Sequence, residues 1–167
     1  MGGVHQVAAG GGGTVTRIPL PGLAADSIPP PPSIPEVFLG LVNAARANGS
    51  YRALLGHPTL DACAQGRVKD MIDQGYFGHR DPLGVVSDEY TGRLAAHGVT
   101  VYAWAGENLG MTNAANWQPQ LMQLWMASPG HRANILSPDF DTMGVGHGLR
   151  SDMTHVVCHI FTGGARL

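Results

Sequence analysis

The chain has 167 residues, a net charge of −2 and only 13% charged residues. That length fits one domain, at about 100–200 residues each, and is enough to bury a core. So sparse and slightly acidic a charge excludes a nucleic-acid partner, and no apolar run reaches the roughly 18 residues of a membrane-spanning helix.

Residues 1–34 read as an extended Gly/Pro-rich arm. The stretch "AAGGGGT" is too flexible to pack, and "SIPPPPSIP" favours polyproline II. Fully stretched, the arm would reach about 110 Å at about 3.3 Å per residue. It cannot bury enough apolar surface to offset an ordering cost of roughly 1–2 kcal/mol per residue. Any order is therefore expected from contacts with other protein subunits, through Ile18, Leu20, Leu23, Ile28 and the Pro29–Pro32 segment. The opening "MGGVHQVAAGGGG" lacks the basic start and apolar core of a secretory signal. The expectation is a leader already trimmed, or export without one.

A folded domain is expected over 35–167. Its first helix starts at Pro35, carries Val37, Leu41, Val42 and Ala45 on one face, and stops at Gly49. The second covers "HPTLDACAQGRVKDMIDQG", with Leu60, Ala64, Val68, Met71 and Ile72 in register. A third, "SDEYTGRLAAHG", starts at a Ser87 or Asp88 cap and ends at Gly98. A short aromatic-rich strand, "VYAWAGENLG", precedes a fourth helix from about Gln118 to Ala127, with Leu121, Leu124 and Trp125 inward. That helix ends at Ser128, and "PGH" turns the chain onward. Two β-favouring runs, "TMGVGHGL" and "THVVCHIFTG", close the chain as an antiparallel hairpin. In the last strand Val156, Cys158 and Ile160 share one face, and His155, Val157, His159 and Phe161 the other. The mixture reads as α+β.

Three segments carry the chemistry: "YFGHRDPLG", "AGENLG" and "WMASPGHRANILSPDFDTMGVGHG". Placed after two helices and before a final hairpin, they resemble the CAP superfamily (cysteine-rich secretory, antigen-5 and pathogenesis-related proteins), above all its bacterial SCP-like branch, over about 36–163. The resemblance implies a three-layer α-β-α sandwich with a small, mainly antiparallel central sheet and a cleft holding two histidines and acidic residues. It places the histidine of "FGH" at His79, the glutamate of "GEN" at Glu107 and the histidine of "PGH" at His131. Many animal members have a second glutamate where this chain has Ser128, which with Asn108 is expected to line the cleft. Two neutral imidazoles can hold Zn²⁺ weakly, with water in the open positions. Glu107, the tentative catalytic residue and one of three glutamates in the chain, would orient one ring or take a proton from water.

The other histidines have plainer readings. His97 completes a helix C-terminus, His57 and His5 face solvent, and His147, His155 and His159 either line the cleft's far edge or belong to the hairpin alone. Trp104 and Trp125 are expected in the core. Cys63 and Cys158 leave two alternatives, a disulfide closing a long loop or two buried free thiols. For function the leading expectation is an extracellular, non-catalytic module that binds a metal and a cell-surface glycan, peptide or lipid, tethered by its arm. It would belong to a phage virion or be a secreted bacterial protein. The alternatives are a metal-assisted hydrolase acting on peptide or cell wall, and a secreted lipid-binding CAP protein.

Overall fold

The computed structural model of the chain describes residues 30–80 and 89–167. Most of the arm, His5 and the Ser87 or Asp88 cap lie outside the described residues. The chain divides into two units, Met1–Pro31 and Pro32–Leu167, and every helix and strand among the described residues belongs to the second. In order these are α1 (Ile34–Asn48), β1 (Leu55–Gly56), α2 (Pro58–Asp73), α3 (Glu89–Ala96), β2 (Trp104–Thr112), α4 (Trp117–Ala127), α5 (Pro129–Leu136), β3 (Thr142–Leu149) and β4 (His155–Gly163).

A reciprocal cap opens α1. Ser33 Oγ accepts from the Glu36 N–H, and the Glu36 carboxylate accepts from the Ser33 N–H at 2.7 Å. Its buried stripe is Phe38, Val42 and Arg46; of the expected face Val42 is in it, and Leu41 and Ala45 pack against its edge. A core arginine needs acceptors for its donors, and Arg46 donates to the carbonyls of Arg52, Ile135 and Ser137. The last two end α5, so this side chain ties α1 to that helix and complements its C-terminal dipole.

The sheet order is β1-β3-β4-β2, parallel between β1 and β3 and antiparallel elsewhere. Alternation along β4 divides the core in two. Val157 and Phe161 join Phe38, Val42, Leu121, Trp125 and Ile135 from α1, α4 and α5. Val156, Cys158 and Ile160 join Leu60, Cys63, Ala64 and Val68 of α2 and Leu94 of α3. Helices on both faces make the α-β-α sandwich.

Where β3 meets α2 it presents Gly144, Gly146 and Gly148. A Cβ at Gly144 would lie 2.1 Å from the Leu60 carbonyl carbon, and one at Gly146 2.3 Å from that of Ala64. Two strand residues advance about 6.8 Å and four helix residues about 6.0 Å, so the two rows keep step and the helix lies on bare backbone. This close approach fixes the height of α2, and with it everything α2 aims at β2.

Two expectations need correction. Leu124 is 54% exposed and Trp104 56%, because α4 turns only Leu121, Met122 and Trp125 to the core and Trp104 begins a strand at the sheet edge. The break before His131 falls where the sequence places it: α4 stops at Ala127, Ser128 serves both helices, and Pro129 opens α5 with His131 in its first turn. The two-residue β1 is too short to leave a pattern in the sequence.

Candidate functional site

Glu107 is the centre of the site. It projects from β2 toward α2, its side chain 1% exposed. A carboxylate taken out of water needs compensation, and its partners are specific. Oε2 accepts from Arg67 Nε at 3.3 Å and from the Cys158 thiol at 3.6 Å; Oε1 lies 2.7 Å from His79 Nδ1. Burial first, then the negative Glu107, push the Cys158 thiol well up, so it stays a donor.

Arg67 joins the carboxylate to the loop that bears His79. Fully buried, it also donates to the Tyr76 hydroxyl and to the Gly78 carbonyl, one residue before His79. Tyr76 in turn donates to Asp70 at 2.6 Å, and Arg93 reaches Asp70 at 3.0 Å. One guanidinium thus fixes both partners of the His79–Glu107 contact. The His79 side chain remains 58% exposed. With Nδ1 given to Glu107, Nε2 is the ring nitrogen left to face a ligand.

From the opposite face comes His131. Ser128 caps α5 but makes no cap bond to the backbone; its Oγ lies 3.0 Å from His131 Nδ1. The contact joins two side chains and leaves the backbone donors of the first turn uncapped by Ser128. Asn108 is fully buried, so it braces the cleft rather than lining it. It donates to the His131 carbonyl at 3.0 Å and accepts from Asn134 at 2.8 Å. Asn134 Nδ2 also reaches the Glu107 carbonyl, and Trp125 Nε1 the Leu109 carbonyl at 2.8 Å. Carbonyls of edge strand β2 are thereby occupied by side chains of α4 and α5, which fixes His131 and blocks strand addition. Burial first, then the nearby His79, lower the His131 pKa from its ordinary value, so the ring is neutral at neutral pH.

His79 meets Glu107 directly, and His131 feels His79 through its charge alone. The remaining histidines do not join them. His57 is the N-cap of α2, its Nδ1 accepting from Thr59 N–H at 3.2 Å, rather than a free surface group. His97 Nδ1 meets the Arg93 carbonyl at the end of α3. His159 is fully buried among Phe38, Trp125 and Phe161. The row of His155 lies five residues along β2 from Glu107, roughly 16 Å away. Cys63 and Cys158 share the α2-side core as free thiols; one faces the Arg93 carbonyl and the other Glu107, so the disulfide alternative is not realised. Arg67, Arg46 and Asn134 are functional supports absent from the sequence reading. The signal for Arg67 and Arg46 was their place in the apolar register of a helix.

Residues 39–160 match the model of the cysteine-rich secretory protein family, CAP. The chain belongs to the CAP family. Over 108 residues this CAP domain is 34% identical to the uncharacterized protein YkwD of Bacillus subtilis. The match takes in 64% of the chain and 39% of YkwD, so the chain spans about two fifths of that relative's length. A solved extracellular protein containing an SCP domain, from Bacillus anthracis, aligns at 27% identity with a TM-score of 0.64, over 77% of this chain and 40% of that one. An outer surface protein of Borrelia burgdorferi shares the fold at a TM-score of 0.66 and 14% identity, over 77% of this chain and 90% of its own. Among the described residues, no helix is long and apolar enough to cross a membrane.

Proposed function

We propose that this CAP domain is an extracellular, non-catalytic binding module whose cleft holds a divalent metal ion, Zn²⁺ by its donor chemistry, between His79 and His131. The observation that carries the reading is the 2.7 Å contact of His79 Nδ1 with buried Glu107. A carboxylate behind an imidazole fixes its tautomer and raises the donor strength of the other nitrogen. With Nδ1 of both rings engaged, the two Nε2 atoms are the available ligands, and a neutral His131 need lose no proton to bind. Two imidazoles suit zinc, but two are few. Among the described residues no group of three or more His, Cys, Asp or Glu gathers to hold an ion. A weak, exchangeable ion with open positions would accept a donor from a ligand: a cell-wall glycan, a peptide or a lipid head group.

Glu107 supports binding over hydrolysis. Both of its oxygens are engaged, one by Arg67 and one by His79. A general base must reach the water it deprotonates. The same reading gives residues 1–34 the role of tether to other subunits, in a phage virion or a secreted bacterial protein, on composition alone. The extracellular setting draws support from the SCP-domain protein of Bacillus anthracis.

Calorimetric titration of the full chain with Zn²⁺ tests the cleft. One ion per chain is expected, with binding lost in His79→Gln and in His131→Gln and weakened about 10–100-fold in Glu107→Gln. Unchanged binding in both histidine variants would overturn the proposal.

A further inference from the structure

Away from the cleft, two histidines and a tryptophan form a second cluster. His147 on β3 and His155 on β4 bring Nε2 and Nδ1 to 2.9 Å, with ring centroids 5.2 Å apart and planes 27° from parallel. The centroid separation equals the N···N distance plus one ring radius at each end. The two nitrogens therefore point straight at each other. Chelation of a metal would turn both lone pairs toward a common point off that line; facing nitrogens share a proton in an N–H···N bond. Trp117 lies flat over both rings, 4.6 Å from His147 at 18° and 4.3 Å from His155 at 11°.

Trp117 is also the first residue of α4, whose Asn116 N-cap makes no side-chain cap bond. Stacking on the imidazole pair, with the Thr112–Gln120 side-chain bond, is what fastens this end of the helix to the sheet. We propose that the His147–His155 pair under Trp117 is an acid-released latch: one shared proton holds the start of α4 on the β3–β4 hairpin, and a second proton releases it.

The surrounding elements leave the pair to itself. No charged residue occurs in α4. In α1, Glu36 is committed to the Ser33 cap and Arg46 to three carbonyls. From α2, Gln65 holds the backbone N–H and carbonyl of His147; Asp61 accepts from Val145 N–H, and Lys69 pairs with Asp73. In the turn between the strands, Arg150 donates to the Tyr76 carbonyl and Asp152 accepts from Thr154 N–H. On β2, Thr112 pairs with His155 and is uncharged, while Glu107 faces the other side of the sheet. Burial first, then His155, hold His147 below its ordinary pKa.

Neutral, the pair has one N–H donor and one acceptor. The first added proton makes the bond charge-assisted and lies under the electron-rich indole face, both favourable. The second leaves two cations with no lone pair between them, so the bond breaks. Native rings resist the second proton that unfolded rings accept, so the latch holds above that step and is lost as pH falls through it.

Nitrogen-15 NMR of the labelled full chain tests the latch. Through-bond coupling between His147 Nε2 and His155 Nδ1 is expected at neutral pH and disappears at the acid step. Amide exchange in the first turn of α4 should rise there about tenfold while α2 is unchanged. His155→Gln, and separately His147→Gln, should leave a single-step titration and α4 exchange indifferent to acid. Absent coupling with two independent ordinary titrations, or α4 exchange unmoved at the acid step, would overturn the proposal. The wild-type measurements decide it even if one variant fails to fold.

Discussion

Replacing Arg67 by methionine keeps much of the apolar stem and removes the guanidinium. It leaves Glu107, 1% exposed, with no cation but whatever charge His79 carries, and it releases the Tyr76 hydroxyl and the Gly78 carbonyl. Breaking a buried pair on one side costs about 3–5 kcal/mol, because the remaining charge stays out of water. For a domain of this size that corresponds to a fall in Tm of roughly 10–20 °C. Urea unfolding followed by circular dichroism measures it, with Glu107→Leu added in a second variant. The double variant should recover most of the loss, since no buried charge remains. A single-variant cost below about 1 kcal/mol, or a double variant no more stable than the single, would refute the clamp.

His159 titrates far below its ordinary value, pushed from 6.5 to about 3 by burial, and neither ring nitrogen has a hydrogen-bond partner. Unfolded chains take up a proton that the native ring refuses, so stability falls as pH drops from 6.5 toward 3, by up to about 4–5 kcal/mol. His159→Leu should flatten that acid limb in unfolding experiments; an unchanged limb would contradict the assignment. Gly146→Ala should cost about 3 kcal/mol or more, because its Cβ meets helix backbone, whereas Gly40→Ala, with nothing within 4 Å, should be neutral or stabilising. Equal effects in denaturant titrations would argue against the close α2–β3 approach. Both thiols should resist a disulfide reagent in the native protein and react once it is unfolded; zero reactive thiols would restore the Cys63–Cys158 bridge. Removing residues 1–31, a cut that spares the Ser33 cap and Ile34, should leave the Tm unchanged and abolish incorporation into the parent assembly, and a truncated domain that unfolds would show that the folded unit needs them.

Helix positions were legible because a 3.6-residue apolar period survives in α2 and α4, and the faces of β4 because alternation is strict from His155 to Phe161. His79, Glu107 and His131 were legible only through their motifs, since spacing along the chain says nothing of which strand joins them. What escaped depends on partners distant in sequence. Arg67 falls between Ala64 and Met71 in the buried register of α2, and a charge there implies a buried acid without naming Glu107. Asn108 looked like a cleft residue because it adjoins Glu107, yet strand alternation points it to the opposite face. The glycines of "TMGVGHGL" suggested a strand but not a helix lying directly on it, which needs the α2 row of Leu60 and Ala64 in step with them.

On the proposed function, one buried ionic cluster aims His79 at an ion shared with His131. Imidazole nitrogen-15 shifts of the full chain, followed during Zn²⁺ addition, test it most directly. Nε2 of His79 and of His131 should shift together and saturate at one ion per chain, while both Nδ1 atoms keep their hydrogen bonds and the His147–His155 pair is undisturbed. Zinc shifting other histidines while His79 and His131 stay unchanged would contradict it.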